Sequence, residues 1–105
     1  MNTTNNALTE AVYYILLALV EPMHGYGIMQ QTTALSNGRV RLSAGTLYGA
    51  LASLLEKGWI EQLPEEGRKK DYRVTPAGRE VLEMEILRLA ELLENGRNIL
   101  KIPNE

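Results

Sequence analysis

The stretch that decides the fold is RVRLSAGTLYGALASLLEKGWIEQLPEEGRKKDYRVT, residues 39–75. It opens on a helical pattern that Ser43 caps and Gly58 ends, because a serine hydroxyl accepts from free first-turn amides and glycine tolerates the left-handed closing position. Two short strands are predicted next, Trp59 to Leu63 and Asp71 to Thr75, joined by a basic turn. This order predicts a helix that enters a DNA groove and a hairpin that contacts the neighbouring backbone.

The predicted helix from Ser43 to Lys57 has two contrasting faces. One face buries Leu47, Leu51, Leu54 and Leu55, which recur at helical spacing. The opposite face carries small or hydroxylic residues, with no charge before Glu56: Gly45, Thr46, Tyr48, Gly49, Ala52 and Ser53. A face exposed only to solvent would carry Lys and Glu. We therefore expect this face to approach another surface closely.

Further helices are predicted on both sides of this stretch, so the chain should be mostly α with a small β-hairpin. The first helix, about residues 8–20, is apolar over most of its circumference and must be buried on two sides. The second spans roughly residues 25–35, and Asn37 or Gly38 can supply the left-handed residue that closes it. Val40 to Leu42 is expected to form a very short strand.

The C-terminal helix is predicted to contact a second subunit. It starts at Thr75-Pro76, a capping hydroxyl followed by proline at the first helical position. Four- and three-residue steps then form an apolar seam: Leu82, Ile86, Leu89 and Leu93. Tyr13 and Leu17 of the first helix are assigned to the same interface. The predicted organisation is a winged DNA-binding domain over residues 1–75 and a dimerisation helix with a tail over residues 76–105.

Composition narrows the function classes. The chain has 105 residues, 45% of them hydrophobic, and no cysteine, which excludes disulfides, cysteine-ligated zinc sites and thiol nucleophiles. His24 is the single histidine, and no metal-ligand or catalytic grouping stands out, so neither a cofactor nor an enzyme is expected. The apolar run from Val12 to Val20 is too short to cross a bilayer, and no basic residue precedes Arg39, so a cytoplasmic protein without a membrane partner is expected.

The net charge of −2 opposes nucleic-acid binding at first sight, but its distribution does not. Residues 1–38 and residues 74–105 each carry a net charge of −2. Residues 39–73 hold seven basic and five acidic residues, a net charge of +2. The positive excess is small, and it coincides with the segment predicted to touch DNA.

Five short motifs give the chain a family resemblance. They are PMHGYGI at residues 22–28, SAGTLY at 43–48, LLEKGWI at 54–60, RKKDY at 68–72 and TPAG at 75–78. In this order they resemble the PadR-like family of winged-helix transcriptional regulators, in the short form with a single C-terminal helix. The resemblance implies a winged helix-turn-helix with a C-terminal dimerisation helix, in a homodimeric and usually repressing bacterial regulator. Gly27 departs from the pattern, since many members carry an acidic residue there.

The residues predicted to contact DNA lie on the recognition helix, before it and at the wing tip. They are Arg39, Arg41, Ser43, Gly45, Thr46, Tyr48, Gly49, Arg68, Lys69 and Lys70. Each group has a structural alternative. The arginines can pair with nearby acids, Ser43 can act as a cap alone, Tyr48 can be a packing residue at the domain edge, and the wing tip can be a solvated turn.

Two functions compete at this point. The first is a homodimeric repressor on a two-fold symmetric site in double-stranded DNA, relieved by a small molecule at the dimer interface or by another signal. The second is a winged-helix protein-interaction module or antirepressor that does not bind DNA, which the low positive charge keeps open.

Overall fold

The structure is a computed structural model that describes residues 7–64 and 70–104. It confirms a mostly helical chain with a small sheet. The elements in chain order are α1 (Glu10–Ala18), β1 (Met23–His24), α2 (Gly25–Leu35), α3 (Ala44–Lys57), β2 (Ile60–Gln62), β3 (Asp71–Val74) and α4 (Pro76–Leu100). No helix in the described part of the chain is both long enough and apolar enough to cross a membrane.

The helix boundaries follow from local capping chemistry. The hydroxyls of Ser43 and Thr75 accept from the backbone N–H three residues on, at 3.1 Å each, which confirms both predicted starts. Three left-handed residues also stand where turns were predicted. Asn37 has φ 56° and Gly38 has φ 82°, after α2. Gly58, at φ 78°, closes α3.

The three strands form an antiparallel sheet in the order β1-β3-β2. The predicted hairpin is confirmed, with Ile60 opposite Val74 and Gln62 opposite Tyr72. Strand β1 was not predicted. It has only two residues, too few to show an alternating pattern, and it is defined by its pairing of Met23 with Tyr72.

The predicted strand at Val40 to Leu42 was wrong. The N–H of Val40 donates to the Ser36 hydroxyl at 2.9 Å, and its carbonyl accepts from the Thr33 hydroxyl at 3.2 Å. Because side chains of the last turn of α2 and its C-cap satisfy the backbone groups of Val40, the segment needs no strand partner there. It leads into Ser43, the cap of α3, without forming a strand.

One buried cluster joins all four helices to the hairpin. Its members are Ile15, Leu16, Leu19, Ile28, Leu47, Leu51, Leu54, Ile60, Tyr72 and Leu82. The assignment of Leu82 to a subunit interface is corrected here, because only 3% of this residue is exposed and it packs within its own chain. The second turn of α4 thus completes the core of the winged unit.

A buried carboxylate fastens the N-terminal segment to α4. Glu85 is 4% exposed and accepts two hydrogen bonds from Arg88, at 2.6 and 2.9 Å, and one from the Leu8 N–H at 3.3 Å. The hydrogen bond from Arg88 is the main cause that lowers the pKa of Glu85, against the opposing effect of burial. Sequence reasoning missed this group, although Glu85 and Arg88 stand three apart on one helix.

Candidate nucleic-acid interface

Helix α3 presents a smooth outer face, formed by Gly45, Thr46, Tyr48, Gly49, Ala52 and Ser53, all of them exposed. Three leucines on the opposite side, Leu47, Leu51 and Leu54, are at most 2% exposed and fix the rotation of the helix on the core. A Cβ atom built on Gly45 or Gly49 would meet nothing within 4 Å. The helix backbone is therefore open to close approach from outside.

In the first turn of α3, the hydroxyl of Thr46 is a hydrogen-bond donor with no acceptor among the described residues. Ser43 accepts from the N–H of Thr46 at 3.1 Å and donates its own proton to the Thr46 hydroxyl at 3.0 Å. The Thr46 hydroxyl is exposed and donates to no described residue. Ser43 is thus a cap that also orients its neighbour, and Thr46 is left to donate a hydrogen bond outward.

Tyr48 packs at the domain edge and keeps its hydroxyl exposed. Half of the residue, 50%, is exposed, and within the described residues its hydroxyl makes no hydrogen bond. The phenol rests on Gly25, the first residue of α2, where a Cβ atom would lie 2.1 Å from the Tyr48 hydroxyl oxygen. Burial is the main cause that raises the pKa of Tyr72 in β3, and the nearby Tyr48 contributes to the shift. Tyr48 therefore stands between α2 and the sheet and keeps a free hydroxyl.

Two of the basic residues in the positive segment are occupied by acids. Arg39 forms an ion pair with Glu10 of α1, and the hydrogen bond from this pairing, followed by its charge, raises the pKa of Arg39. Arg73 donates two hydrogen bonds to Glu61, at 2.7 and 3.0 Å, across the β2–β3 hairpin. The acid-pairing alternative for Arg39 is the geometry that the structure shows.

Three other basic residues have no carboxylate partner among the described residues. Arg41 is exposed and curls back over the α2–α3 turn, where its Nη2 lies 3.0 Å from a Cβ built on Gly38. Lys70 is exposed immediately before β3. Lys57 lies 4.9 Å from the ring centroid of Trp59, in cation–π contact. The remaining wing-tip candidates, Arg68 and Lys69, lie outside the described residues.

The seam of α4 is exposed beyond the core. The exposed fractions are 46% for Ile86, 39% for Leu89 and 54% for Leu93. Tyr13 and Leu17 of α1 are half-buried, against the core cluster. A row of exposed large apolar residues on one helix is the usual sign of a surface that another molecule covers.

A groove of about 830 Å³ separates the start of α1 from α3 and α4. Its apolar wall includes Leu8, Val12, Trp59 and Met84, and four charged residues line it as well: Lys57, Glu80, Glu85 and Arg88. Ala50 and Ser53, on the flank of α3, close its far side. The volume lies in the range of small-molecule sites. Across residues 7–64 and 70–104, no three His, Asp or Glu side chains group closely enough to hold a metal ion.

Comparison with protein-family models assigns the chain to a family. The model of the transcriptional regulator PadR-like family matches residues 14–84, from α1 to the third turn of α4. The chain belongs to the PadR-like family. Members of this family are transcriptional regulators, in agreement with the resemblance read from the five motifs.

Two solved structures of transcriptional regulators and one uncharacterized protein are similar to this chain. A transcriptional regulator from Clostridium thermocellum is 27% identical, with 90% of each chain covered and a TM-score of 0.63. A PadR-like transcription factor from Bacteroides fragilis is 26% identical, with 85% of this chain and 87% of that chain covered and a TM-score of 0.68. An uncharacterized 37.1 kDa protein in a transposon of Streptomyces fradiae is 43% identical over 84 residues. Those residues make up 79% of this PadR-like chain but only 24% of the transposon protein, so the chain spans about a quarter of that relative.

Proposed function

We propose that this PadR-like protein is a homodimeric repressor that binds double-stranded DNA through α3 and the wing. The outer face of α3 is the observation that carries the proposal. It is a capped helix of 14 residues whose exposed side is uncharged as far as Glu56 and opens the backbone at two glycines. Such a helix fits a major groove, which admits one α-helix.

Contacts with phosphates are expected around the edge of this face. The free hydroxyls of Thr46 and Tyr48 can donate to phosphate oxygens, and Arg41 and Lys70 add charge beside them. Arg39 contributes less, because its guanidinium is engaged by Glu10. Arg68 and Lys69 are assigned to the wing contact on sequence grounds alone.

Base recognition through α3 is expected to rest on shape and methyl contacts. Residues 44–57 contain no Arg, Asn or Gln, the side chains that pair most often in a bidentate manner with guanine or adenine edges. Ala44, Thr46 and Ala52 offer methyl groups that suit the thymine C5-methyl. Sequence preference would then come from groove width and deformability as well as from the wing.

Dimerisation is supported by the exposed seam of α4. Burying Ile86, Leu89 and Leu93 against a second copy removes apolar surface that the single chain leaves in water. A dimer of this kind would present two α3 helices related by two-fold symmetry. Its DNA site would therefore be two-fold symmetric, with half-sites about 10 base pairs apart.

Relief of repression by a small molecule is the regulatory part of the proposal. The groove between α1, α3 and α4 lies beside the exposed seam and touches α3 through Ala50 and Ser53. A ligand there would contact both the helix proposed for DNA and the helix proposed for the dimer. Trp59, the single tryptophan, lines the groove, so quenching of its fluorescence would report occupancy.

The test is a fluorescence-anisotropy titration against DNA from upstream of the protein's own gene, at two salt concentrations, with unrelated DNA as control. We expect saturable binding that exceeds the control and weakens steeply with salt. Lys70→Ala should lower the salt slope by about one unit for each phosphate that this lysine neutralises in the dimer. Equal, weak binding to both DNAs, with no effect of Lys70→Ala, would favour a protein-interaction module.

A further inference from the structure

Position 25 is occupied by glycine because there is no room for a side chain, and not because the backbone conformation requires it. It is buried at the first position of α2, and its φ is not positive, unlike that of Gly38 and Gly58 in the described part of the chain. A Cβ atom at Gly25 would lie 2.1 Å from the hydroxyl oxygen of Tyr48 and 2.8 Å from its Cζ. No ordinary Cβ contact is that short. The Tyr48 phenol therefore occupies the space that a side chain at position 25 would fill.

The contact restrains one side of Tyr48 and leaves the other free. The residue is 50% exposed, and its hydroxyl makes no hydrogen bond within the described part of the chain. Gly25 follows β1 directly, and β1 pairs with Tyr72 of β3. The phenol of α3 is thus held against the junction of α2 with the sheet, and its polar atom has no internal partner.

We propose that Gly25 is a positioning residue for DNA binding, because it seats the phenol of Tyr48 so that the hydroxyl is already aimed at a DNA phosphate. The inference rests on the proposed function and adds a residue that touches no DNA itself. A tyrosine that is fixed before binding loses little rotamer freedom on binding. A Cβ at Gly25 displaces the ring, so both the aim of the hydroxyl and its preorganisation disappear.

The test is a double-mutant cycle read by anisotropy on the upstream DNA. Gly25→Ala should weaken binding about 10-fold, the scale of one immobilised side chain and its hydrogen bond. In the Tyr48→Ala background the same change should have no further effect, since no phenol remains to be displaced. The matched control is Gly27→Ala in the same helix, where a Cβ meets nothing closer than 3.6 Å and affinity should stay within about twofold.

The outcomes separate this inference from the proposed function. A wild-type protein that does not prefer the upstream DNA overturns both. A wild-type protein that binds specifically, with equal losses of affinity from Gly25→Ala in both backgrounds, overturns the positioning role alone. Tyr48→Phe covers the case in which Gly25→Ala does not fold, since it removes the hydroxyl without adding an atom. It should weaken binding to a similar extent, and wild-type affinity in that variant would refute the inference.

Discussion

The packing of α4 on the hairpin can be tested at Gly78, where the helix lies against the backbone of Trp59. A Cβ atom at this position would lie 2.0 Å from the carbonyl oxygen of Trp59 and 2.7 Å from Cγ2 of Val74. The carbonyl is backbone and cannot rotate aside. It also accepts the N–H of Thr75 at 2.9 Å, so moving it breaks a hydrogen bond. Gly78→Ala therefore forces the start of α4 away from the sheet.

The expected loss of stability follows from three contributions. Overpacking costs about 1–3 kcal/mol, and loss of the Thr75 hydrogen bond adds about 1 kcal/mol. Alanine in place of glycine returns up to about 1 kcal/mol of helix propensity, and less in the first turn. The net destabilisation is about 2 kcal/mol, which for a chain of this size lowers the Tm by roughly 8–16 °C.

The assay is urea unfolding followed by circular dichroism, at one fixed protein concentration because a dimer's stability depends on it. Gly49→Ala is the matched control. Gly49 lies in the middle of α3, and a Cβ atom built on it meets nothing within 4 Å. It should raise the unfolding free energy by about 0.8–1 kcal/mol through helix propensity alone. Equal stabilisation by Gly78→Ala and Gly49→Ala would refute the close approach of α4 to Trp59.

Three further predictions concern the dimer, the buried carboxylate and the DNA face. Leu89→Asp should give a folded monomer by analytical ultracentrifugation. Asn98→Asp, at an exposed α4 position off the seam, should stay dimeric. A dimeric Leu89→Asp protein would contradict the proposed interface. Glu85→Gln should lose about 1–2 kcal/mol at neutral pH. Because the pKa of Glu85 is lowered in the folded state, this difference from wild type should shrink as the pH falls below 4.5, the ordinary value for a glutamate. Glu83→Gln removes one partner of an exposed ion pair and should show no resolvable change, and a pH-independent difference for Glu85→Gln would contradict the prediction. Gly49→Ala should bind the upstream DNA more weakly although it is more stable, because the added methyl holds α3 off the groove, and unchanged affinity would argue against that face.

Much of the fold was predictable because the decisive signals are local. Ser43 and Thr75 start helices through hydroxyls that reach only three residues ahead, and Gly58 ends one by its own conformation. Strand β1 and the extended segment at Val40 were not predictable. Strand β1 depends on its pairing with β3, which is remote in sequence, and two residues are too few to show an alternating pattern. The segment at Val40 depends on hydrogen bonds to side chains at the end of α2.

The candidate site was predictable in its residue types but not in its partners. The pattern of α3 identified the open face, and the structure exposes every member of it. The Arg39–Glu10 pair and the seat of Tyr48 on Gly25 span 29 and 23 positions, and no periodicity reports such contacts. Leu82 has the spacing of the seam, yet it is buried. In the first two turns of α4, the face with this spacing packs against the core of the same chain.

Hydroxyl-radical footprinting on the upstream DNA tests the proposed dimer on DNA most directly, because it reads the positions of both recognition helices on the duplex. We expect two protected segments on one face, about 10 base pairs apart, related by two-fold symmetry. Both segments should fade together in Leu89→Asp, the variant designed to separate the protomers. A single protected segment that Leu89→Asp leaves unchanged, or no protection at all, would contradict a dimer that places two α3 helices in successive grooves.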